Sequence, residues 1–377
     1  MPSKKRLLPL GFIALVLAIA LGAVVNDPAG AWQVVQQGWD HPTVLATALE
    51  DFFRENLPFR QQLRNGVLRL RMAGGNVEQE GLFLLEDSLI PNLKVTSDTT
   101  VYRGNTHKIL EAIKQTDTPA YFLLLPTACA IYADDLPSYL PLYNQRDFIE
   151  NTYQQFYGSA VTVDAYNALL YSDSDYLFYR TEDNLAPLGG YEVYQALASR
   201  LDFAEIPLQQ YEVSYLNHQY YGDLYERWGY GGVRPDVITA YRDTTGQTQS
   251  QVISWNRYAQ KTYGTLYPRE AAVSGEAMDA ILGGYAPRIE IHTLGTRESS
   301  LLVLGDHTAL SYLPFLAGHY KKITFLDLSL LTASEIGEFN PGDYSQVLFA
   351  YSLETYLNSD SPAKVSNLAF GAKAETG

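Results

Sequence analysis

The spacing of apolar residues along this chain alternates between the period of buried strands and that of helices. Short apolar runs typical of buried strands lie at residues 121–125, 161–163, 289–291, 301–304, 323–326 and 347–351. Helical spacing lies at residues 105–116, 148–157, 188–200 and 308–317. Because strands alternate with helices of about 10 to 15 residues, we predict an α/β fold with a doubly wound, mostly parallel sheet.

Three regions depart from this alternation. Residues 203–285 are rich in Tyr, Gly and Arg and alternate only over short stretches, so we predict an inserted small α+β region. Residues 81–85 and 89–91 predict a hairpin that turns at Glu86. Helical spacing within residues 42–71, interrupted at Pro58, predicts two helices.

The N-terminus has the pattern of a membrane-targeting segment. Lys4, Lys5 and Arg6 precede an uncharged run of 19 residues, 7–25. At about 1.5 Å per residue this run nearly spans a hydrocarbon layer of about 30 Å. Because cations keep their end of such a segment in the cytoplasm, we predict a single-pass transmembrane helix with the main domain outside the cell membrane. Ala-Gly-Ala at residues 29–31 has the form of a cleavage site, so release after cleavage is the alternative.

These features divide the chain into three parts. Residues 1–25 are the cytoplasmic tail and the transmembrane helix. Residues 26–42 mix Asp, Pro, Gly, Gln and Trp without periodicity, which favours a short linker. Residues 43–370 form the exported domain, with the insertion at residues 203–285.

Composition narrows the class of function. The chain has 42 acidic and 27 basic residues, a formal net charge of −15, and no basic stripe, so we expect no binding of nucleic acid. Its single cysteine, Cys129, cannot form an intramolecular disulfide, and zinc-binding spacings of Cys and His are absent. We expect no metal and no cofactor. The 29 tyrosines suit a surface that handles sugars or other polar polymers.

Two loops carry the candidate chemistry, because ligands of open α/β sheets gather at the carboxyl ends of strands. One loop is residues 179–191, which opens a predicted helix, and the other is residues 304–308, between a predicted strand and the next helix. We expect the two loops to converge, and the side chains there that suit acid–base chemistry or a cation site are Glu182, Asp183, Asp306 and His307.

Helix capping is an alternative explanation for the same polar residues. Asp183 or Asn184 would cap the helix that follows, with Pro187 in its first turn. Asp306 would cap the helix after its strand. The sequence leaves both explanations open.

A series of short motifs spans nearly the whole exported part. They are Asn-Leu-Pro-Phe-Arg at 56–60, Leu-Leu-Leu-Pro-Thr at 123–127, Ile-Tyr-Ala-Asp-Asp-Leu-Pro at 131–137, Tyr-Arg-Thr at 179–181, Leu-Gly-Gly-Tyr at 188–191, Tyr-Gly-Asp-Leu-Tyr at 221–225, Ile-Leu-Gly-Gly at 281–284, Leu-Leu-Val-Leu-Gly-Asp at 301–306, Pro-Phe-Leu at 314–316, His-Tyr at 319–320 and Asp-Leu at 327–328. In their order and spacing they resemble the DHHW family of membrane-anchored exported proteins. The resemblance implies a fold similar to that of SGNH hydrolases and the alginate O-acetylation proteins.

The chain departs from that family at the positions that carry the chemistry. After Tyr-Arg-Thr the family usually has Asp-His-His-Trp, whereas this chain has Glu182, Asp183, Asn184 and Leu185. The family's serine, which resembles the SGNH nucleophile, is replaced by His307. Acyl transfer of this type needs a hydroxyl activated by an imidazole that a carboxylate orients. The resemblance therefore implies a degenerate site.

We expect an inactive protein that binds or scaffolds in the O-acetylation of a cell-envelope polysaccharide, with a membrane-bound O-acyltransferase as partner. The candidate binding residues are Tyr179, Arg180 and Tyr191. The alternative is an active O-acyltransferase or esterase with a site reassigned to Asp183, Asp306, His307 and Thr308. A purely structural envelope protein is a third possibility.

Overall fold

A computed structural model describes residues 20–22, 24–38, 45, 48–49, 52, 56, 66, 78–79, 81–229, 232–244, 250–256, 259–274, 276–293 and 298–371. The chain divides into two compact units, Met1–Val77 with Gly229–Gly231, and Glu78–Trp228 with Gly232–Gly377. In the first unit Pro28–Gly38 forms helix α1, where a linker was predicted.

Most of the apolar run at residues 7–25 and most of the two helices predicted within residues 42–71 lie outside the described residues. Within the described part of the chain, every helix is too short or too polar to cross a bilayer. The predicted anchor therefore stays a prediction.

An eight-stranded sheet organises the second unit. Its parallel strands are, in spatial order, β5 (Val161–Val163), β4 (Ala120–Leu125), β13 (Gln346–Ser352), β11 (Ser300–Gly305) and β12 (Lys322–Leu326). Three antiparallel strands continue it: β10 (Arg288–Thr293), β8 (Ser250–Trp255) and β9 (Gln260–Tyr263). The predicted α/β fold and its mostly parallel sheet are confirmed, with an antiparallel edge added.

Two strands of the antiparallel edge, β8 and β9, come from residues 203–285, where an inserted small α+β region was predicted. Asn256 N donates to Ala259 O between β8 and β9, and strands that follow each other so closely in the chain pair antiparallel. Strand β8 pairs with β10 and so extends the main sheet. The rest of the predicted insertion does form a separate two-stranded ribbon, β6 (Tyr211–Tyr220) with β7 (Asp236–Asp243).

Alternate residues of β4 enter two different hydrophobic clusters. Leu123 and Leu125 belong to one cluster, and Phe122 and Leu124 belong to the other. Because successive side chains of a strand point to opposite faces, the two clusters lie on the two faces of the sheet. Burial on both faces explains why this strand is one continuous apolar run.

Helices complete both clusters, as a doubly wound fold requires. Ile109 of helix α2 (Thr100–Lys114) packs in one cluster, and Val193 of helix α6 (Pro187–Ala198) packs in the other. The helices of this unit are α2 (Thr100–Lys114), α3 (Ala128–Ile131), α4 (Gln145–Phe156), α5 (Ala165–Leu170), α6 (Pro187–Ala198), α7 (Asp223–Trp228), α8 (Arg269–Ser274), α9 (Leu313–Leu316), α10 (Ala333–Ile336) and α11 (Leu353–Asn358).

The predicted hairpin is confirmed as β2 (Leu82–Leu85) with β3 (Ser88–Pro91), and β1 (Glu78–Gln79) pairs with β2. Glu86 has a φ of 52°, the left-handed conformation that a tight turn often needs.

The helix predicted at residues 308–317 is broken into three short pieces. A 3₁₀ turn at His307–Ser311 leads to α9, and a second 3₁₀ turn covers Ala317–His319. Pro314 has no N–H to donate one turn back, so a single helix cannot run through it.

Two adjacent glycines bring α6 close to the backbone of two loops. A Cβ at Gly189 would lie 2.1 Å from Leu177 O, and a Cβ at Gly190 would lie 2.1 Å from Ser311 O. Only a residue without a side chain fits at that separation. The Leu-Gly-Gly-Tyr motif therefore places the start of α6 against the turn that carries His307.

Candidate functional site

The two loops predicted to carry the chemistry do meet. His307 Nε2 lies 3.0 Å from Asp183 O, and Asn184 Nδ2 donates to His307 O over 3.5 Å. Ser311 Oγ, in the turn after His307, donates to Asn184 Oδ1 at 2.9 Å. The predicted convergence of residues 179–191 with residues 304–308 is confirmed, and it lies at the carboxyl end of β11.

Helix capping explains only one of the candidate residues. The residue that caps α6 is Ala186, without a side-chain hydrogen bond, so neither Asp183 nor Asn184 caps that helix. Asp306 does cap the turn that follows it, because its Oδ1 accepts from Thr308 N at 3.1 Å. Its other oxygen accepts from Ser352 N at 2.8 Å. Burial opposes the charge of Asp306, but His307 and these hydrogen bonds outweigh it and lower its pKa.

A buried carboxylate from the β6–β7 ribbon holds the start of the site loop. Asp236 begins β7 and is 0% exposed. Its Oδ1 accepts from Tyr176 Oη at 2.5 Å and from Arg180 N at 2.7 Å. Its Oδ2 accepts from Thr181 N at 2.8 Å and from Thr181 Oγ1 at 2.5 Å. No local motif marked this residue.

Glu182 turns toward the segment that links the ribbon to α7. Its Oε2 accepts from Tyr220 Oη at 2.6 Å, and burial raises its pKa. Gly222 packs so closely that a Cβ there would lie 2.2 Å from the same oxygen. Gly222 N also donates to Thr181 Oγ1 at 3.0 Å. Glu182 therefore has a structural role, because its carboxylate holds the site loop against Tyr220 and Gly222.

Asp183 and His307 are the titratable pair at the centre of the site. Burial, with added repulsion from Glu354, raises the pKa of Asp183 to about 7. Desolvation disfavours the charged imidazole, but Asp306, the bond to Asp183 O and the Asp183 charge prevail and raise the pKa of His307. No sequence signal had singled out Glu354, which follows β13.

A small cleft lies beside this pair. Its lining residues include Thr127, Phe178, Asp183, His307 and Glu354. Its free volume is about 30 Å³, which is room for one or two water molecules.

The hydroxyl groups near His307 all bond elsewhere. Thr308 Oγ1 donates to Asp306 Oδ1 at 2.5 Å, and Ser311 Oγ donates to the site loop. Ser352 Oγ lies 3.0 Å from Thr355 Oγ1. Among the described residues, no hydroxyl–imidazole bond of the kind that activates a nucleophile is therefore present at His307. The described part of the chain also brings no three His, Cys, Asp or Glu side chains together as a metal site.

The three candidate binding residues occupy structural positions. Tyr179 and Tyr191 are 2% and 5% exposed and belong to the hydrophobic core. Arg180 Nε lies 3.3 Å from Asp87 Oδ1, and its guanidinium stacks over the ring of Tyr176 at 4.4 Å. Their role in binding a ligand stays a prediction.

Comparison with solved structures identifies relatives of this fold. A DHHW family protein from Eubacterium siraeum superposes with a TM-score of 0.62 at 17% identity, over 78% of this chain and 98% of that one. Bacillus cereus PatB1, solved with a sulfonyl adduct, superposes with a TM-score of 0.61 at 16% identity, over 74% of this chain and 97% of that one. No family model and no curated protein matches the chain. The fold that the motifs predicted is confirmed.

We expect Asp236→Asn to lower the free energy of unfolding by about 2–4 kcal/mol, because an amide NH₂ would face buried donors that now bind a carboxylate. Urea denaturation measures the loss. The control is Asp173→Asn, since Asp173 is exposed. An equal effect of the two substitutions would contradict the structural role of Asp236.

The stability of the protein should fall as pH rises from about 4 to about 7. The folded state holds a proton on Asp183 up to a pKa of about 7, whereas the ordinary value is 3.8, so the unfolded state binds fewer protons in this window. The raised pKa values of Glu182 and His307 act in the same direction. Asp183→Asn should therefore flatten this pH dependence and stabilise the protein at pH 8 by about 1–3 kcal/mol. Urea titrations at pH 4.5, 6 and 8 measure both effects, and a variant less stable than the parent at pH 8 would refute them.

Proposed function

We propose that this protein is a non-catalytic member of the DHHW family that binds or scaffolds in the O-acetylation of a cell-envelope polysaccharide. One observation carries the proposal. The Nε2–H of His307, which the motif resemblance aligns with the family's nucleophile, donates to Asp183 O at 3.0 Å.

The chemistry of the neighbouring positions supports the same conclusion. Asp183 and Asn184 stand where the family has its two histidines, and an amide cannot accept a proton as an imidazole does. A positioned general base contributes typically 10²–10⁴-fold to a reaction of this kind. A site that lacks both the hydroxyl and this base keeps little of the acyl-transfer machinery.

The fold around the site is intact, which favours a retained binding or scaffolding role. Asp236 still fixes the Tyr-Arg-Thr segment, and Gly190 still allows α6 to approach Ser311. An architecture kept in this way presents a surface to a polysaccharide or to a membrane-bound O-acyltransferase. Both partners are inferred from the family resemblance.

The second candidate is an esterase with a reassigned site. The observation that favours it is the pairing of Asp183, whose pKa is raised to about 7, with an imidazole in the same cleft. In that mechanism His307 removes a proton from water, the water oxygen attacks the ester carbonyl, and the departing alcohol takes the proton. Because the Nε2–H of His307 donates to Asp183 O, Nδ1 is the nitrogen of the neutral imidazole that would accept this proton.

The purified exported part should hydrolyse 4-nitrophenyl acetate no faster than its His307→Ala variant. His307→Ser alone should stay inactive, because the new hydroxyl lacks a base. The combined change Asp183→His, Asn184→His and His307→Ser should raise the rate by about 10²-fold or more. Hydrolysis by the unmodified protein that disappears in His307→Ala would favour the esterase instead.

A sulfonyl fluoride gives this test a second readout that does not need turnover. Intact-mass analysis should find an adduct at residue 307 only in the combined variant. An adduct on the unmodified protein that His307→Ala abolishes would show a reactive imidazole and contradict the proposal.

We also propose that residues 7–25 anchor the protein in the cell membrane with the main domain outside. The full chain should stay in the membrane fraction after carbonate washing, and mass spectrometry should find residues 2–31 still attached. Leu15→Arg, which places a charge at the middle of the run at a cost of about 3 kcal/mol, should release part of the protein. A mature N-terminus at Trp32 would instead identify a secreted protein.

A further inference from the structure

A cavity with a free volume of about 190 Å³ lies between the β6–β7 ribbon, the segment around Tyr267 and α9. It shares no lining residue with the cleft at His307. The proposed function does not use it.

Aromatic rings form the apolar part of its wall. Tyr211, Tyr267 and Phe315 are 8%, 5% and 2% exposed, and Tyr241 is half-buried. The ring of Phe315 meets that of Tyr211 edge-on at 5.3 Å and that of Tyr241 at 5.8 Å. Because these rings hold one another in place, the wall is formed before any ligand arrives.

Hydrogen-bonding groups form the rest of the wall. The Arg242 guanidinium lies 5.4 Å from the centroid of the Tyr267 ring and also donates to Ser214 Oγ. A guanidinium carries five N–H donors, so one bond leaves others for a ligand. Glu212 and Asp243 are also among the lining residues. With one cation and two anions, the wall disfavours phosphates and uronic acids.

We propose that this cavity binds one neutral sugar residue. A pyranose ring offers an apolar C–H face to aromatic rings and a rim of hydroxyls that both donate and accept hydrogen bonds. The cavity is smaller than the roughly 300–1,000 Å³ of sites for drug-sized ligands, which limits the occupant to about one ring. This inference goes beyond the proposed function and does not depend on whether His307 is catalytic.

Gly318 lines the cavity, and a larger side chain there would fill the cavity while leaving its aromatic and charged residues in place. A Cβ at Gly318 would meet Ile206 Cδ1 at 3.4 Å and Asp243 Oδ2 at 3.8 Å, which are ordinary contacts. Both neighbours line the cavity, so a longer side chain at residue 318 would occupy it. Gly104, whose Cβ would have no atom within 4 Å, is the matched control.

Ligand-observed saturation-transfer NMR on the full chain should detect a neutral methyl hexopyranoside, tested as the glucoside, the galactoside and the N-acetylglucosaminide at up to about 50 mM. Gly318→Leu and Arg242→Leu should each weaken binding at least about tenfold. Gly104→Leu should leave binding unchanged, and glucuronate and glycerol should bind more weakly than the best neutral sugar. Circular dichroism melts would verify that each variant is folded.

Failure of all three neutral glycosides to bind would overturn the inference. Binding that Gly318→Leu leaves unchanged, or stronger binding of glucuronate, would also overturn it. If Gly318→Leu does not fold, Arg242→Leu decides the matter by the same tenfold criterion. Esterase activity at His307 would refute the proposed function and leave this inference intact.

Discussion

The buried carboxylate of Asp236 is the interaction on which the candidate site depends. It accepts hydrogen bonds from the backbone at Arg180 and Thr181, at the start of the site loop. Leu224 N donates to Thr181 O at 3.0 Å, so Thr181 is held from a second side. Moving this segment would leave a buried charge without donors, which is costly. The backbone just before Asp183 and Asn184 is therefore held in position by the β6–β7 ribbon.

Three residues at which the sequence differs from the resembling motif share hydrogen bonds. His307 donates to Asp183 O, and Asn184 donates to His307 O while accepting from Ser311. The imidazole and the amide thus bond to the backbone of the opposite loop. These polar contacts hold the two loops of the site together.

The sequence predicted what depends on local burial and missed what depends on distant partners. Strand β4 was foreseen because every one of its residues is buried. The two site loops were placed together because the acid–base and nucleophile segments of the resembling family must meet to do chemistry. The pairing of β8 with β10 and the bonds of Asp236 join distant segments, and neither leaves a periodic signal. The alternative in which Asp183 or Asn184 caps α6 failed for a local reason, because α6 begins at Pro187, two residues after a helix capped by Asn184 would begin.

The order of strands has a consequence for how this protein is made. Strand β13 lies inside the sheet between β4 and β11, yet Val347 pairs with Ala120, more than two hundred positions earlier. A chain that emerges from its N-terminus must hold β4 with an open edge until residues 346–352 arrive, and such non-local pairing folds slowly and exposes the chain to aggregation. Ser352 N is also the donor to Asp306 Oδ2. Strand β13, the last strand among the described residues, thus joins β4 to β11 and also supplies the Ser352 donor to Asp306. A chain that is interrupted before residue 346 lacks both the complete sheet and this hydrogen bond.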